Sequence, residues 1–411
     1  MRTFATWLCF VISISLFGEF LVTAQDWPQF LGPERDGHYD GAGLAEEWLD
    51  GRPTELWRRP VGEGFAGPVV VGNRLLMFHR ERGLEVLDAI DTQNGDLIWR
   101  YSYETGYRDD FGFDEGPRSA PVVVDGRVFV FGAQGQLHAV ELLTGKELWH
   151  IDARMRFRVA KAFFGAAGTP LVEDGRLIAN IGGPEAGIVA FDVHSGDVLW
   201  TARGEEASYS SPVGATFGGV RHAILFTRNN LVGLDPATGR TRFERSWRAR
   251  IRASVNAATP IVIGNRIFVS AQYGTGAGVF EVDDLQLKEI WTSDDSLSNH
   301  YVTSVHHDGY LYGFHGRQEY GPSFRAVRFD TGEVAWSEDN FGAGSVTLAG
   351  DLLVIVRESG ELILAKATEA NFRVTARAQL LAPVVRAYPA LAHGRLYVRN
   401  RNVLASFDLG N

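Results

Sequence analysis

Short apolar runs, each broken by a polar pair and then resumed, fill this 411-residue chain. VVVGNRLLMF (69–78) holds Gly72-Asn73, VVVDGRVFVF (122–131) holds Asp125-Gly126, and LVEDGRLIAN (171–180) holds Asp174-Gly175. The same arrangement returns at Gly218-Gly219, Gly264-Asn265, Asp308-Gly309, Gly350-Asp351 and His393-Gly394, eight hairpins in all. Gly, Asn and Asp accept the positive φ that a two-residue hairpin loop requires, so each break predicts two antiparallel strands and a tight turn. The runs are too short and too regularly punctuated for helices.

A second pattern is interleaved with the first. The phrase A-x-[DE]-x-x-[TS]-G-x-x-x-W occurs at 139–149 (AVELLTGKELW), at 190–200 (AFDVHSGDVLW) and, with Asn94 in the Thr/Ser slot, at 89–99 (AIDTQNGDLIW), with weaker copies at 233–243 and 326–336. A phrase that returns about every 40–50 residues marks an array of equal units. Each unit reads as four strands: two around the first turn, a third carrying A-x-D, and a fourth ending in Trp. Such units in a ring form a β-propeller, here all-β and eight-bladed. The eighth unit lacks a fourth strand before the chain ends, whereas TELWRRP (54–60) is an orphan strand of that type near the start. It is predicted to complete the last blade and close the ring, which protects the edge strands. Two units depart from the phrase. In the fifth, Leu287 stands in the turn-glycine slot; in the seventh, Asn371 and Thr375 take the Gly and Trp slots, predicting the weakest blade contact there. The domain reading is a leader over 1–24 and one propeller over 25–411, whose segment 25–60 includes the closing strand.

The leader is inferred from Arg2, an apolar run from Trp7 to Phe17, and small residues at Val22-Thr23-Ala24. An exported, periplasmic or secreted protein is expected, with no membrane span in the mature chain. The only cysteine, Cys9, lies inside that run, too early for a lipid attachment site, so the mature chain has no disulfide and is not a lipoprotein. A formal net charge of −10 argues against nucleic acid as a partner.

Trp57, Trp99, Trp149, Trp200, Trp291 and Trp336 are expected to lie flat on the turn of the adjoining blade, where glycine leaves room for the ring. The phrase resembles the tryptophan-docking motif of the pyrroloquinoline-quinone (PQQ) repeat propellers, across essentially the whole mature chain. The opening DWPQFLGP (26–33), followed by Arg35-Asp36-Gly37, is similar to the start of secreted bacterial PQQ-like propellers. That superfamily holds both quinoprotein alcohol dehydrogenases and BamB-like assembly proteins without enzymatic activity. The dehydrogenases imply a Ca²⁺ or lanthanide site, a catalytic Asp and commonly a disulfide of adjacent cysteines, which this mature chain cannot make. Asn256, Asn299 and Asp114 stand in candidate loops with oxygen ligands.

Antiparallel connectivity places the second-to-third-strand loops and the blade-to-blade connectors on one face. Those segments collect arginine and tyrosine: Arg108, Arg156, Arg228, Arg250, Arg252, Tyr273, Tyr301, Arg317, Arg357, Arg386 and Arg399. These types dominate binding hot spots. The expectation is a non-catalytic binding or scaffold module for an envelope protein or an anionic or glycan ligand, with no catalytic residue, metal or cofactor. The alternative is a minimal PQQ-dependent dehydrogenase using PQQ with Ca²⁺.

Overall fold

In the computed structural model, the described residues are 26–41, 44–48, 50–161, 164–249, 251 and 255–410. The expected leader, 1–24, and the candidate residues Arg250 and Arg252 lie outside them. The predicted turns enter the left-handed region where the sequence supplies Asp-Gly or His-Gly: φ is +49° and +70° at Asp125 and Gly126, and +52° and +72° at His393 and Gly394.

Eight antiparallel sheets follow in chain order and form an eight-bladed propeller. Blades 1 to 7 cover 69–104, 122–152, 171–202, 213–246, 261–293, 305–338 and 344–379. Blade 8 covers 390–408 and takes its outer strand from Thr54–Pro60, which pairs antiparallel with Val403–Asp408. The middle strands are buried on both faces between neighbouring blades and therefore read as continuous apolar runs. Arg74–Glu81 and Leu84–Asp91 are buried almost throughout, while the outer strand Leu97–Glu104 alternates between exposed and half-buried residues. Helix among the described residues is limited to Ala153–Arg156 and one 3₁₀ turn, Gln318–Tyr320. None is long and apolar enough to cross a membrane.

Each docking tryptophan hands its indole N–H to the next blade. Trp99 Nε1 donates to Leu142 O at 3.0 Å, Trp149 to Val193 O at 3.1 Å, Trp200 to Pro236 O at 3.0 Å and Trp291 to Phe329 O at 2.7 Å. Trp57 donates to Thr92 O at 3.0 Å and so joins blade 8 to blade 1. Glycine is required beneath the ring: at Gly239 φ is +72°, and a Cβ would stand 2.4 Å from Trp200 Cε3. Gly239→Ala combines that overlap with a backbone penalty of about 1–2 kcal/mol. A drop of at least that size in unfolding free energy is expected, read from the urea midpoint.

The two irregular units differ from the sequence expectation. In blade 5 the turn lies at Asp284-Leu285, with φ of +43° and +62°, and Leu287 is already inside the strand Gln286–Ser293. The hairpin is shorter than its counterparts, so no turn-glycine slot exists for Leu287 to replace. Blade 4 presents Phe243, which has no N–H, to this seam. Trp247 meets Phe280 edge-on at 5.3 Å, and Arg245 pairs with Glu289 at 2.6 Å across it. In blade 7, Trp336 still docks, donating to Thr368 O at 2.8 Å despite Asn371. Where Thr375 leaves the seam to blade 8 without an indole, the N-terminal segment covers it. Leu44 and Trp48 pack on the apolar cluster that blades 7 and 8 share, and Ala45 N donates to Leu409 O at 2.7 Å.

The same segment crosses the central channel. Trp27 bridges to Val70 in blade 1, Pro28 O accepts from Val123 N in blade 2, and His38-Tyr39 adds a parallel strand to Gly344–Ala349 in blade 7. Arg35 reaches the far side, donating to Thr169 O at 2.7 Å and Pro170 O at 2.8 Å at the entry to blade 3. It is 3% exposed, and burial lowers its pKa to about 9. Residues 26–39 are therefore a plug that contacts innermost strands on opposite sides of the ring.

Candidate functional site

Above the plug, on the face that gathers the blade-to-blade connectors, lies a cup of about 220 Å³. Its floor is Phe30 of the plug, set edge-on to Tyr388 at 4.9 Å between ring centroids. Its wall takes one or two residues from most connectors: Phe65, Phe113 and Arg118, Phe164, Tyr209, His300 and Tyr301, and Arg386. The loops of blades 5 and 6 add Tyr273 and Glu319. A ring of short connectors converging on one axis necessarily brings together residues remote in sequence. An adjoining groove of about 390 Å³ runs over blades 2 to 4 and shares Tyr209 with the cup.

The lining is aromatic, and its guanidinium groups are already paired. Arg386 Nε donates to Glu358 Oε1 at 2.6 Å, and its guanidinium stands 5.1 Å from the Phe65 ring centroid. The Tyr301 hydroxyl also bonds to Glu358; burial, and then that carboxylate, push its pKa well above the ordinary value. Arg118 meets Asp109 at 3.4 Å and two backbone carbonyls, and lies over Phe65 and Tyr107. Arg317 pairs with Glu319 at 3.1 Å and covers Tyr273 at 4.9 Å. Tyr273 Oη bonds to His300 Nε2 at 2.8 Å, and burial holds the His300 pKa down to about 4, so the imidazole is neutral at pH 7.

The predicted face thus divides. Tyr273, Tyr301 and Arg386 line the cup, with Arg317 at its rim; Arg108 and Arg228 line the groove. Arg156 is exposed on the short helix beside that groove, against Phe157. Two residues belong to the framework instead. Arg399 is 1% exposed, because its guanidinium turns inward to Gly62 O at 2.6 Å and Asn400 O at 3.0 Å. Arg357 is committed to Glu361 at 2.8 Å and to the Phe341 ring. The side chains of the candidate oxygen ligands are likewise held by hydrogen bonds within the framework. Asn256 donates to Thr227 O, Asn299 donates to Phe314 O, and buried Asp114 accepts from Gly116 N and Arg401.

Phe30, Phe65, Phe113, Phe164 and Arg118 were not singled out from sequence. A usable signal was present, since Phe111, Phe113 and Phe164 lie in connectors that would otherwise be polar. Phe111 and Phe113 are 51% and 42% exposed, and with Phe164 they form a cluster whose ring centroids lie 5.2–6.3 Å apart. Exposed clustered aromatics on a folded protein mark a binding surface.

Comparison with known proteins agrees with the fold. The PQQ_2 family, described as outer membrane protein assembly factor BamB, matches residues 82–319. A quinohemoprotein alcohol dehydrogenase of Comamonas testosteroni is 31% identical over 143 residues, a match spanning 33% of this chain and 19% of that protein. Among solved structures, BamB from Moraxella catarrhalis superposes with a TM-score of 0.64 at 13% identity, covering 87% of this chain and 100% of that one. The crystal structure of the Comamonas testosteroni dehydrogenase gives 0.66 at 16% identity, covering 94% and 81%.

Proposed function

This chain belongs to the PQQ_2 family, described as outer membrane protein assembly factor BamB, and from that premise we propose that it is a non-catalytic recognition propeller of the cell envelope that holds a glycan at the mouth of its channel. The observation that carries this reading is the aromatic cup with paired guanidinium groups. Flat apolar rings suit the C–H faces of a sugar. Planar guanidinium–carboxylate pairs offer donors and acceptors side by side to its hydroxyls without leaving a net charge. A polyanion is less well served, because Arg386, Arg118 and Arg317 each already face a carboxylate. A cavity of about 220 Å³ suits one sugar ring, and the groove that shares Tyr209 with it suits further units of a chain.

A quinone held with a divalent cation is the group that the dehydrogenase relatives imply. The cup residues do not fit it. Glu319, which lines the cup, is bound to Arg317, and Glu358, Asp109 and Asp114 are bound to Arg386, Arg118 and Arg401, so among these residues no free oxygen cluster converges on a cation.

Thermal melts with neutral and with uronic-acid oligosaccharides, and with PQQ plus Ca²⁺, test this proposal. A saturating glycan at about 100 times Kd should add about 2.7 kcal/mol of stability. Phe113→Ala and Arg386→Ala should each reduce that shift. A shift with PQQ and Ca²⁺ alone, accompanied by alcohol-dependent dye reduction, would overturn the proposal in favour of the dehydrogenase. A glycan shift unchanged in both variants would remove the cup as the site.

A further inference from the structure

On the outer rim, far in sequence from the cup residues, the strand Glu147–Asp152 carries Glu147 and His150 beside His138 of the neighbouring strand Gln136–Glu141. Residues three apart on a regular strand point to opposite faces. Here a bulge at Leu148 changes that: Glu147 pairs with Val140, Trp149 with Ala139 and His150 with His138. Val140 and His138 share a face, so Glu147 and His150 now share it too. His138 Nδ1 lies 3.6 Å from Glu147 Oε2, and His150 Nδ1 lies 2.8 Å from Glu147 Oε1. One ligand atom from each residue falls within 4.8 Å of the others. Tyr101, from the outer strand of blade 1, places its hydroxyl 2.8 Å from His138 Nδ1 and in hydrogen-bond contact with Glu147.

We propose that His138, Glu147 and His150 form a site for a divalent transition-metal ion of the zinc class, with Tyr101 as an oxygen partner that ties blade 1 to blade 2. Two imidazoles and one carboxylate, with a fourth position for oxygen, are a tetrahedral zinc donor set. The trio needs only side-chain adjustment, because the cross-strand pairing already fixes the backbone. His138 is 4% exposed and stacks on Tyr103 at 3.8 Å, which fixes its ring plane as a supporting shell does for a ligand. Its Nδ1 is the ring atom turned toward Glu147 and the Tyr101 hydroxyl. The equivalent bulge recurs in the other blades, and in two of them it brings together other chemistry: Glu55 with Arg58 in blade 8, and Glu289 with Thr292 in blade 5. Neither provides a second imidazole.

Isothermal titration of the metal-stripped protein with ZnCl₂ at neutral pH tests the site. A saturable isotherm near one zinc per chain is expected, with bound Co²⁺ giving the visible absorption of a tetrahedral site. The His150 side chain is 58% exposed, so His150→Ala should fold and melt as wild type without metal. It and Glu147→Gln should each weaken zinc binding by about tenfold or more. Absence of saturable uptake by the wild type, or unchanged affinity in both variants, would overturn the proposal. Zinc should raise the melting temperature less in Tyr101→Phe than in wild type; an equal rise would overturn the tie between blades.

Discussion

Trp57→Ala is expected to cost about 3–5 kcal/mol, the range for removing a buried large aromatic, and to open the ring at one place. Trp57 is 8% exposed, packs against Tyr397 at 6.0 Å and donates to Thr92 O. Its strand, Thr54–Pro60, is joined to blade 8 by pairing alone, because the chain that continues from it enters blade 1. Losing the indole therefore weakens the only blade built from both ends of the propeller. Hydrogen exchange separates this from general destabilisation. Amides of Val403–Asp408 and of Thr54–Pro60 should lose protection first, while those of blades 4 and 5 keep theirs. Trp149→Ala is the control, a similar residue at a seam within the continuous chain. Equal loss of protection around the ring in both variants would show that the closure is no weaker than any other seam.

Acidification should destabilise the fold between about pH 6.5 and pH 4. His300 and His315 are both held down to about 4 by burial, from an ordinary value of 6.5. Their folded pKa values lie below the unfolded ones, so the unfolded chain binds more protons in this window and stability rises with pH. Above pH 6.5 the two imidazoles impose no penalty. Toward pH 4 the penalty for His300 approaches about 3 kcal/mol, from about 1.4 kcal/mol per pH unit. His315 contributes less, because water reaches more of its ring and screens the effect. Its Nδ1 accepts the Ser298 backbone N–H at 3.0 Å, a bond that requires the unprotonated nitrogen. Melting temperatures measured from pH 7.5 to 4.5 should fall steadily, and His300→Gln should flatten the curve. A profile unchanged in that variant would exclude His300 as a source.

The repeat was legible because each copy carries its own local physics. Asp125-Gly126 and His393-Gly394 are turn residues wherever they occur, and the Trp four residues after a T-G turn needs only the neighbouring unit to dock on. The closing strand was legible for the same reason: TELWRRP is a fourth strand in search of a blade that lacks one. The cup was legible only in part. Tyr273, Tyr301 and Arg386 were found because connectivity assigns their loops to one face. Arg399 was assigned there too, but nothing local reveals that its guanidinium turns inward to Gly62 O. Phe30 floors the cup from a segment with no repeat signal at all.

The sequence by itself determined the eight units, their strand order, the ring closure and the face that gathers the connectors. Those depend on interactions within a unit or between adjacent units, which a repeated phrase records. The tertiary structure alone decided that residues 26–39 plug the channel, that Arg35 bonds to carbonyls at the entry to blade 3, and that the cup's guanidinium groups are paired. It also decided that a bulge turns Glu147 toward His150 and His138. Each of these depends on the distance between groups that only closure of the ring brings together, or on a single extra residue that reverses the facing of a strand.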